Sequence, residues 1–78
     1  MNALQRDEIR KRDVIRFHDR KRRAVIEAIV TRRFRDGKLA VEEQFCIDPD
    51  NGEPIGGALL SPATIYASDV TEIVGARP

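Results

Sequence analysis

Cysteine occurs once in this chain, as Cys46, histidine once, as His18, and tryptophan not at all; the aromatic residues are Phe17, Phe34, Phe45 and Tyr66. A lone thiol cannot close an internal disulfide, so the stapled framework of small secreted domains is excluded and a reducing compartment is expected. No run approaches the roughly 18 consecutive apolar residues that a membrane-spanning helix needs. The opening Met1-Asn2-Ala3-Leu4-Gln5-Arg6-Asp7-Glu8 has no apolar h-region of the kind a secretory signal carries. These features together lead us to expect a cytoplasmic protein with no membrane partner. Of the 78 residues, 41% are hydrophobic and 35% charged, against about 25% charged in a typical soluble domain. A chain of this length buries only about 60% of the surface its unfolded form exposes, so a single domain with a small core under a heavily charged shell is expected.

Recognisable catalytic chemistry is also scarce. With one histidine and one cysteine, a zinc site would have to recruit carboxylates for its remaining ligands, an uncommon structural set. Cys46 as a nucleophile would need His18 within hydrogen-bond reach and a third group to orient it, whereas an unreactive, half-buried cysteine and a surface histidine require nothing further. There is no glycine-rich phosphate cradle, Ser/His/Asp arrangement or HExxH pattern. Asp48-Pro49-Asp50-Asn51-Gly52 is a poor calcium loop, because its glycine falls fifth rather than sixth and Leu59 stands where the bidentate glutamate belongs. Glu42 and Glu43 point to opposite faces of any strand and cannot share a substrate. The expectation is a non-catalytic protein with no metal and no cofactor.

Arginine is the feature in excess. Eleven arginines stand against three lysines, and residues 1–38 hold 13 Lys/Arg against 6 Asp/Glu while residues 39–78 hold 1 against 7. The halves thus carry +7 and −6, giving the net +1. Such asymmetry marks either a nucleic-acid face or two halves that pair with each other. Arginine suits planar, bidentate contact with phosphate. Arg10, Lys11 and Arg12, then Arg20, Lys21, Arg22 and Arg23, then Arg33 and Arg35 are the candidate binding residues. The four at 20–23 are expected at the centre, because no apolar residue competes with them for exposure. With few aromatics for stacking, contact with nucleic-acid backbone is favoured over single-strand recognition. The function expected is a small binding module contacting phosphate, for example an accessory protein in a bacterial or phage nucleic-acid process. The alternative is an adaptor or small inhibitor that turns its charged surface or a strand edge against an acidic protein. A homodimer is a further possibility, since a small barrel leaves edges to pair.

Along the chain, residues 1–12 carry only Leu4 and Ile9 as aliphatic anchors and read as a flexible or short helical arm. Asp13 to Asp19 reads as a first strand, and Arg20 to Arg23 as a solvated turn. The stretch from Ala24 to Phe34 fits both helical and strand periods, but Val25, Ile26, Ile29, Val30 and Thr31 are β-branched and favour a strand. Asp36-Gly37 then signals a two-residue type I′ hairpin. That register sets Phe34 opposite Leu39, Arg32 opposite Val41, Val30 opposite Glu43, Ala28 opposite Phe45 and Ile26 opposite Ile47, with the Arg32–Arg35 cluster beside Glu42-Glu43. Asp48 to Pro54 reads as another reversal, with Asn51-Gly52 a second type I′ candidate. Ile55 to Leu60 suits a kinked strand, interrupted by Ser61-Pro62. Ala63 to Tyr66 resumes extended, Ala67-Ser68-Asp69 forms a short turn, Val70 to Val74 closes the sheet, and 75–78 is a disordered tail.

Five short strands, a long bent second hairpin and the ending Tyr66-Ala67-Ser68-Asp69-Val70-Thr71-Glu72-Ile73 resemble the SH3-like small β-barrel of KOW and Tudor modules. In those modules a 3₁₀ turn precedes the last closing strand, and Ser68-Asp69-Val70 is the matching stretch. The resemblance covers residues 13–74 as an architectural pattern. The chain departs from it in two places: Arg20–Arg23 stands where a glycine often lies between the first two strands, and the aromatic cage of the methyl-reading relatives is missing. The resemblance implies a mainly β fold and a binding role, and it supplies no ligand.

Overall fold

A computed structural model describes residues 9–76, and these form a mainly β structure with no α-helix. No helix among them is long and apolar enough to cross a membrane. The strands are β1 (Asp13–Asp19), β2 (Ala24–Arg33), β3 (Lys38–Ile47), β4 (Pro54–Ile55), β5 (Ser61–Tyr66) and β6 (Val70–Ala76), with a 3₁₀ turn over Ala67–Asp69 just before β6. All pairings are antiparallel, in the order β4-β3-β2-β1-β6, and β5 also pairs with β3. The sheet curls into a half-barrel around one core.

Alternation explains which face is buried. Ile15 and Phe17 from β1, Ile26, Ala28 and Val30 from β2, and Leu39 and Val41 from β3 point inward, joined by Ala67 and Val70. Such alternation is the pattern of a strand with one wet face, and antiparallel pairing with β1 and β3 makes residues 24–33 strand β2, with Phe34 just beyond it. Ile9 is also fully buried in this core, so the described part of the expected arm is anchored by Ile9 while Arg10 to Arg12 stay exposed. The rest of that arm, residues 1–8, and the tail residues 77–78 lie outside the described residues, while Gly75 and Ala76 extend β6.

The β2–β3 hairpin forms where Asp36-Gly37 places it, but with a different register. Asp36 keeps a negative φ and only Gly37 is left-handed, at +88°. The Phe34 N–H donates to the Lys38 carbonyl over 2.9 Å. The connection is therefore a longer turn with glycine in the left-handed position, not a two-residue type I′ loop. Leu39 faces Arg33 rather than Phe34, Val41 faces Val30 and Glu43 faces Ala28. Two bulges complete the correction, with Thr31 the extra residue on β2 and Gln44 on β3. Each reverses the inside–outside phase of its strand. Thus Arg32 escapes the core face, Cys46 packs on the core opposite Ile26, and Phe45 lies half-buried opposite Glu27.

The second reversal occurs at Asp48–Glu53, again with only its glycine, Gly52, at positive φ (+73°). The expected strand from Ile55 to Leu60 shrinks to Pro54–Ile55. Gly56 at +73° and Leu60 at +51° then turn the chain back onto β3. Ser61-Pro62 begins β5 instead of interrupting a strand. Pro62 has no N–H to donate, which is tolerated because β5 pairs on one side only among the described residues. Strand β3 consequently serves β2 along one edge and both β4 and β5 along the other, with the Leu59 N–H donating to the Gln44 carbonyl (2.8 Å) between them.

Candidate functional site

The nine basic residues singled out from sequence fall at two opposite ends of β2. Arg20 to Arg23 connect β1 to the start of β2, and Asp19 shapes their turn. Its Oδ1 accepts the N–H of Lys21 (3.0 Å) and of Arg22 (3.4 Å), and its Oδ2 accepts Arg22 Nε at 2.6 Å. Arg22 also donates through Nη2 to Glu43 Oε2. Glu43 points into the core beside Ala28 and is 5% exposed, so the guanidinium of Arg22 compensates a buried charge. Burial alone pushes the Asp19 carboxyl up, but the hydrogen bonds and charge of Arg22 and the Lys21 N–H outweigh it, holding the group below its ordinary value. The same contacts, Glu43 foremost, raise the Arg22 guanidinium.

Of the other three residues in this turn, Arg20 lies 4.0 Å from Asp69 with its side chain 87% exposed, a contact of little energetic value. Lys21 and Arg23 are exposed, and Arg23 adopts a left-handed φ of +52°. The turn overhangs a cleft of about 560 Å³ between β1 and β5. Arg20, Lys21 and Arg22 line it together with Asp19, Glu43 and Asp69, so cations and anions balance there. His18 lines the cleft as an exposed side chain.

The opposite end differs in charge. The turn Arg10–Arg12 is tied to β2 twice: the Arg12 N–H donates to the Val30 carbonyl (2.7 Å), and Arg33 Nη1 donates to the Ile9 carbonyl (2.7 Å). Asp13 closes this turn, accepting the Arg10 N–H at 2.9 Å, and is itself buried. Two clusters about twenty residues apart in sequence are thereby brought to one end of the sheet. Arg10, Lys11, Arg12, Arg32, Arg33 and Arg35 are all exposed there. The expected neutralisation by Glu42-Glu43 does not occur, because Arg32 and Arg33 face Ala40 and Leu39 while Glu42 faces Ile29. The acids adjacent in sequence are Asp13, buried and closing the Arg10 turn, and Asp36, which pairs with Lys38 at 3.6 Å.

Four residues at this end were not among the candidates. Arg32 stacks over Phe34, 5.0 Å from its ring centroid. Lys38 sits 5.8 Å from the ring of Tyr66, its cross-strand neighbour, and Tyr66 is 56% exposed. Tyr66 was legible as an outward position, since Ala63 and Ile65 alternate with it toward the core. Its nearness to Lys38 depends on the β3–β5 register, which no local pattern specifies.

Cys46 is half-buried against the core, and no group of three or more His, Cys, Asp or Glu among the described residues is placed to hold a metal ion. In the acidic turn, Asp48 Oδ1 accepts the Asp50 N–H (2.8 Å) and Asn51 Oδ1 the Glu53 N–H (2.9 Å), so these side chains shape the reversal itself. No protein-family model matches the chain, and neither the curated proteins nor the solved structures give a match.

Proposed function

We propose that this half-barrel is a non-catalytic binding module of the SH3-like kind that holds a nucleic-acid phosphate backbone at the end of the sheet bearing Arg10–Arg12 and Arg32–Arg35. The observation that carries this reading is the convergence of those two clusters, pinned by Arg12 to Val30 and Arg33 to Ile9. The SH3-like assignment is supported by a 3₁₀ turn leading into a last strand that lies against the first. A patch in which six exposed arginines and lysines outnumber the buried Asp13 and the Lys38-paired Asp36 attracts polyanions at long range and releases their counterions on contact. The Arg20–Arg23 turn is a secondary contact, because Arg22 is committed to Asp19 and Glu43 and only its neighbours remain to meet a ligand.

The test is a titration with unrelated DNA and RNA over a range of salt. Binding should tolerate any sequence, and log K should fall with log salt by about 0.9 for each duplex phosphate neutralised. Replacing Arg10, Lys11, Arg12 and Arg35 by Gln should weaken binding of every sequence and flatten the salt slope by about one unit per lost contact. Replacing Arg20, Lys21 and Arg23 should do so less. Unchanged affinity in both folded variants would remove the phosphate reading. It would favour an adaptor using the edge of β6, which pairs only with β1 among the described residues and exposes Val74.

A further inference from the structure

We propose that the recess beside Tyr66 takes a single unpaired nucleobase, making the ligand single-stranded; this rests on the phosphate-binding reading above. The recess lies between the β2–β3 turn and the 3₁₀ turn. A hydrogen bond from the Ala67 N–H to the Gly37 carbonyl (2.8 Å) holds its two walls together. Leu39 and Ala67 form apolar lining, and Arg33, Asp36, Lys38 and Tyr66 stand around the mouth. Its volume of about 230 Å³ is below the roughly 300 Å³ at which drug-sized pockets begin, which suits one planar group and little more.

Each wall has a role that a nucleotide would use. Tyr66 is an exposed aromatic ring at this end, and the Lys38 ammonium lies over it, 5.8 Å from the ring centroid, the pairing of stacking platform and cation that single-strand binders employ. Arg33 spends one Nη1 donor on the Ile9 carbonyl and retains other guanidinium N–H groups for a phosphate oxygen. Arg35, next to it in the turn, continues the cationic track. Asp36 would repel a phosphate, but it can accept an N–H from the edge of a base, and its Oδ1 already orients the turn by accepting the Lys38 N–H (3.2 Å). A base on Tyr66 with its phosphate toward Arg33 places each charge against its complement. A duplex keeps its bases stacked inward and cannot fill the recess without unpairing.

The chain contains one tyrosine and no tryptophan, so intrinsic tyrosine fluorescence reports this position alone. The full chain is titrated with a fluorescein-labelled oligothymidylate, with the matching oligouridylate, and with a mixed-sequence duplex of equal length, and unlabelled strands are used for the tyrosine signal. The single strands should bind more tightly than the duplex and quench the tyrosine. Tyr66→Ala should weaken single-strand binding about 5- to 100-fold and leave duplex binding unchanged, while Tyr66→Phe should bind single strands as the parent does. Equal, salt-dependent binding of duplex and single strand with no quenching would overturn the stacked base and leave the phosphate reading standing. Binding of neither would overturn both.

Discussion

At the residue scale, Arg22 has more structural consequence than its sequence context indicates. It reads as one of four interchangeable surface cations, yet its guanidinium compensates the buried Glu43 and closes the Asp19 turn. We expect Arg22→Ala to destabilise the fold by about 1–3 kcal/mol, because a buried carboxylate is left unsatisfied. Pairing Arg22→Met with Glu43→Leu should recover most of that loss, since an apolar replacement of an ion pair removes the desolvation cost along with the attraction. Chemical denaturation of the two variants decides it. Arg20, Lys21 and Arg23, changed singly to Gln, should each move stability by no more than about 0.5 kcal/mol.

Asp19 gives the same site a pH dependence. Its carboxyl is held below its ordinary value near 3.8, so the folded state binds that proton less readily than the unfolded chain. Its contribution is therefore fully present above the unfolded value and is lost as pH falls through the lower, folded one. Thermal melts should show no dependence on this group above about pH 5 and a decline below about pH 4. The gap between the parent and Asp19→Asn should narrow as pH falls through the lowered, folded-state value of the Asp19 carboxyl. A gap that stayed constant across that range would detach Asp19 from the turn.

At the scale of elements, the strands were legible and their pairing was only partly so. Alternating Ile15 and Phe17, the β-branched residues from Val25 to Thr31, and Gly37 and Gly52 mark β1, β2 and the two reversals in the sequence itself. The register was not, because bulges at Thr31 and Gln44 insert one residue without any change in composition to mark them. Arg32 on the apparent core face was the one local sign that the phase must break near Thr31. Nor could sequence reveal that Arg10–Arg12 and Arg32–Arg35 share an end of the sheet, since that follows from backbone hydrogen bonds across β2. The bulge at Gln44 makes a measurable difference. Ile26→Ala, fully buried, should cost about 2–5 kcal/mol, while Phe45→Ala, half-buried on the outer face, should fall below the 3–5 kcal/mol of a core phenylalanine. Equal losses from equilibrium unfolding would return Phe45 to the core face.

At the scale of the whole molecule, charge is sorted by location more than by sequence half. The acidic residues of the second half do not blanket the basic ones of the first. Glu43 is spent on Arg22, Asp69 approaches Arg20, and Asp48 belongs to its own turn. One end of β2 is therefore balanced and the other strongly cationic, and the polyanion affinity expected for this protein should follow that second end. The four-residue Gln variant described above should weaken binding without changing the melting curve, as its members are exposed.

The pairing of β1 with β6 ties Asp13 to Ala76 and Val14 to Gly75, nearly the full length of the described chain. Until the last strand arrives, Ile15 and Phe17 have a neighbour on one side only, and the loop that must close spans about sixty residues, an entropic cost that grows slowly with length but is met late. A topology closed by its most distant contacts should fold on the millisecond-to-second scale typical of small all-β domains, not in microseconds. Stopped-flow refolding checks this. A disulfide engineered between β1 and β6, by shortening that search, should accelerate folding more than one of equal geometry across the β2–β3 hairpin.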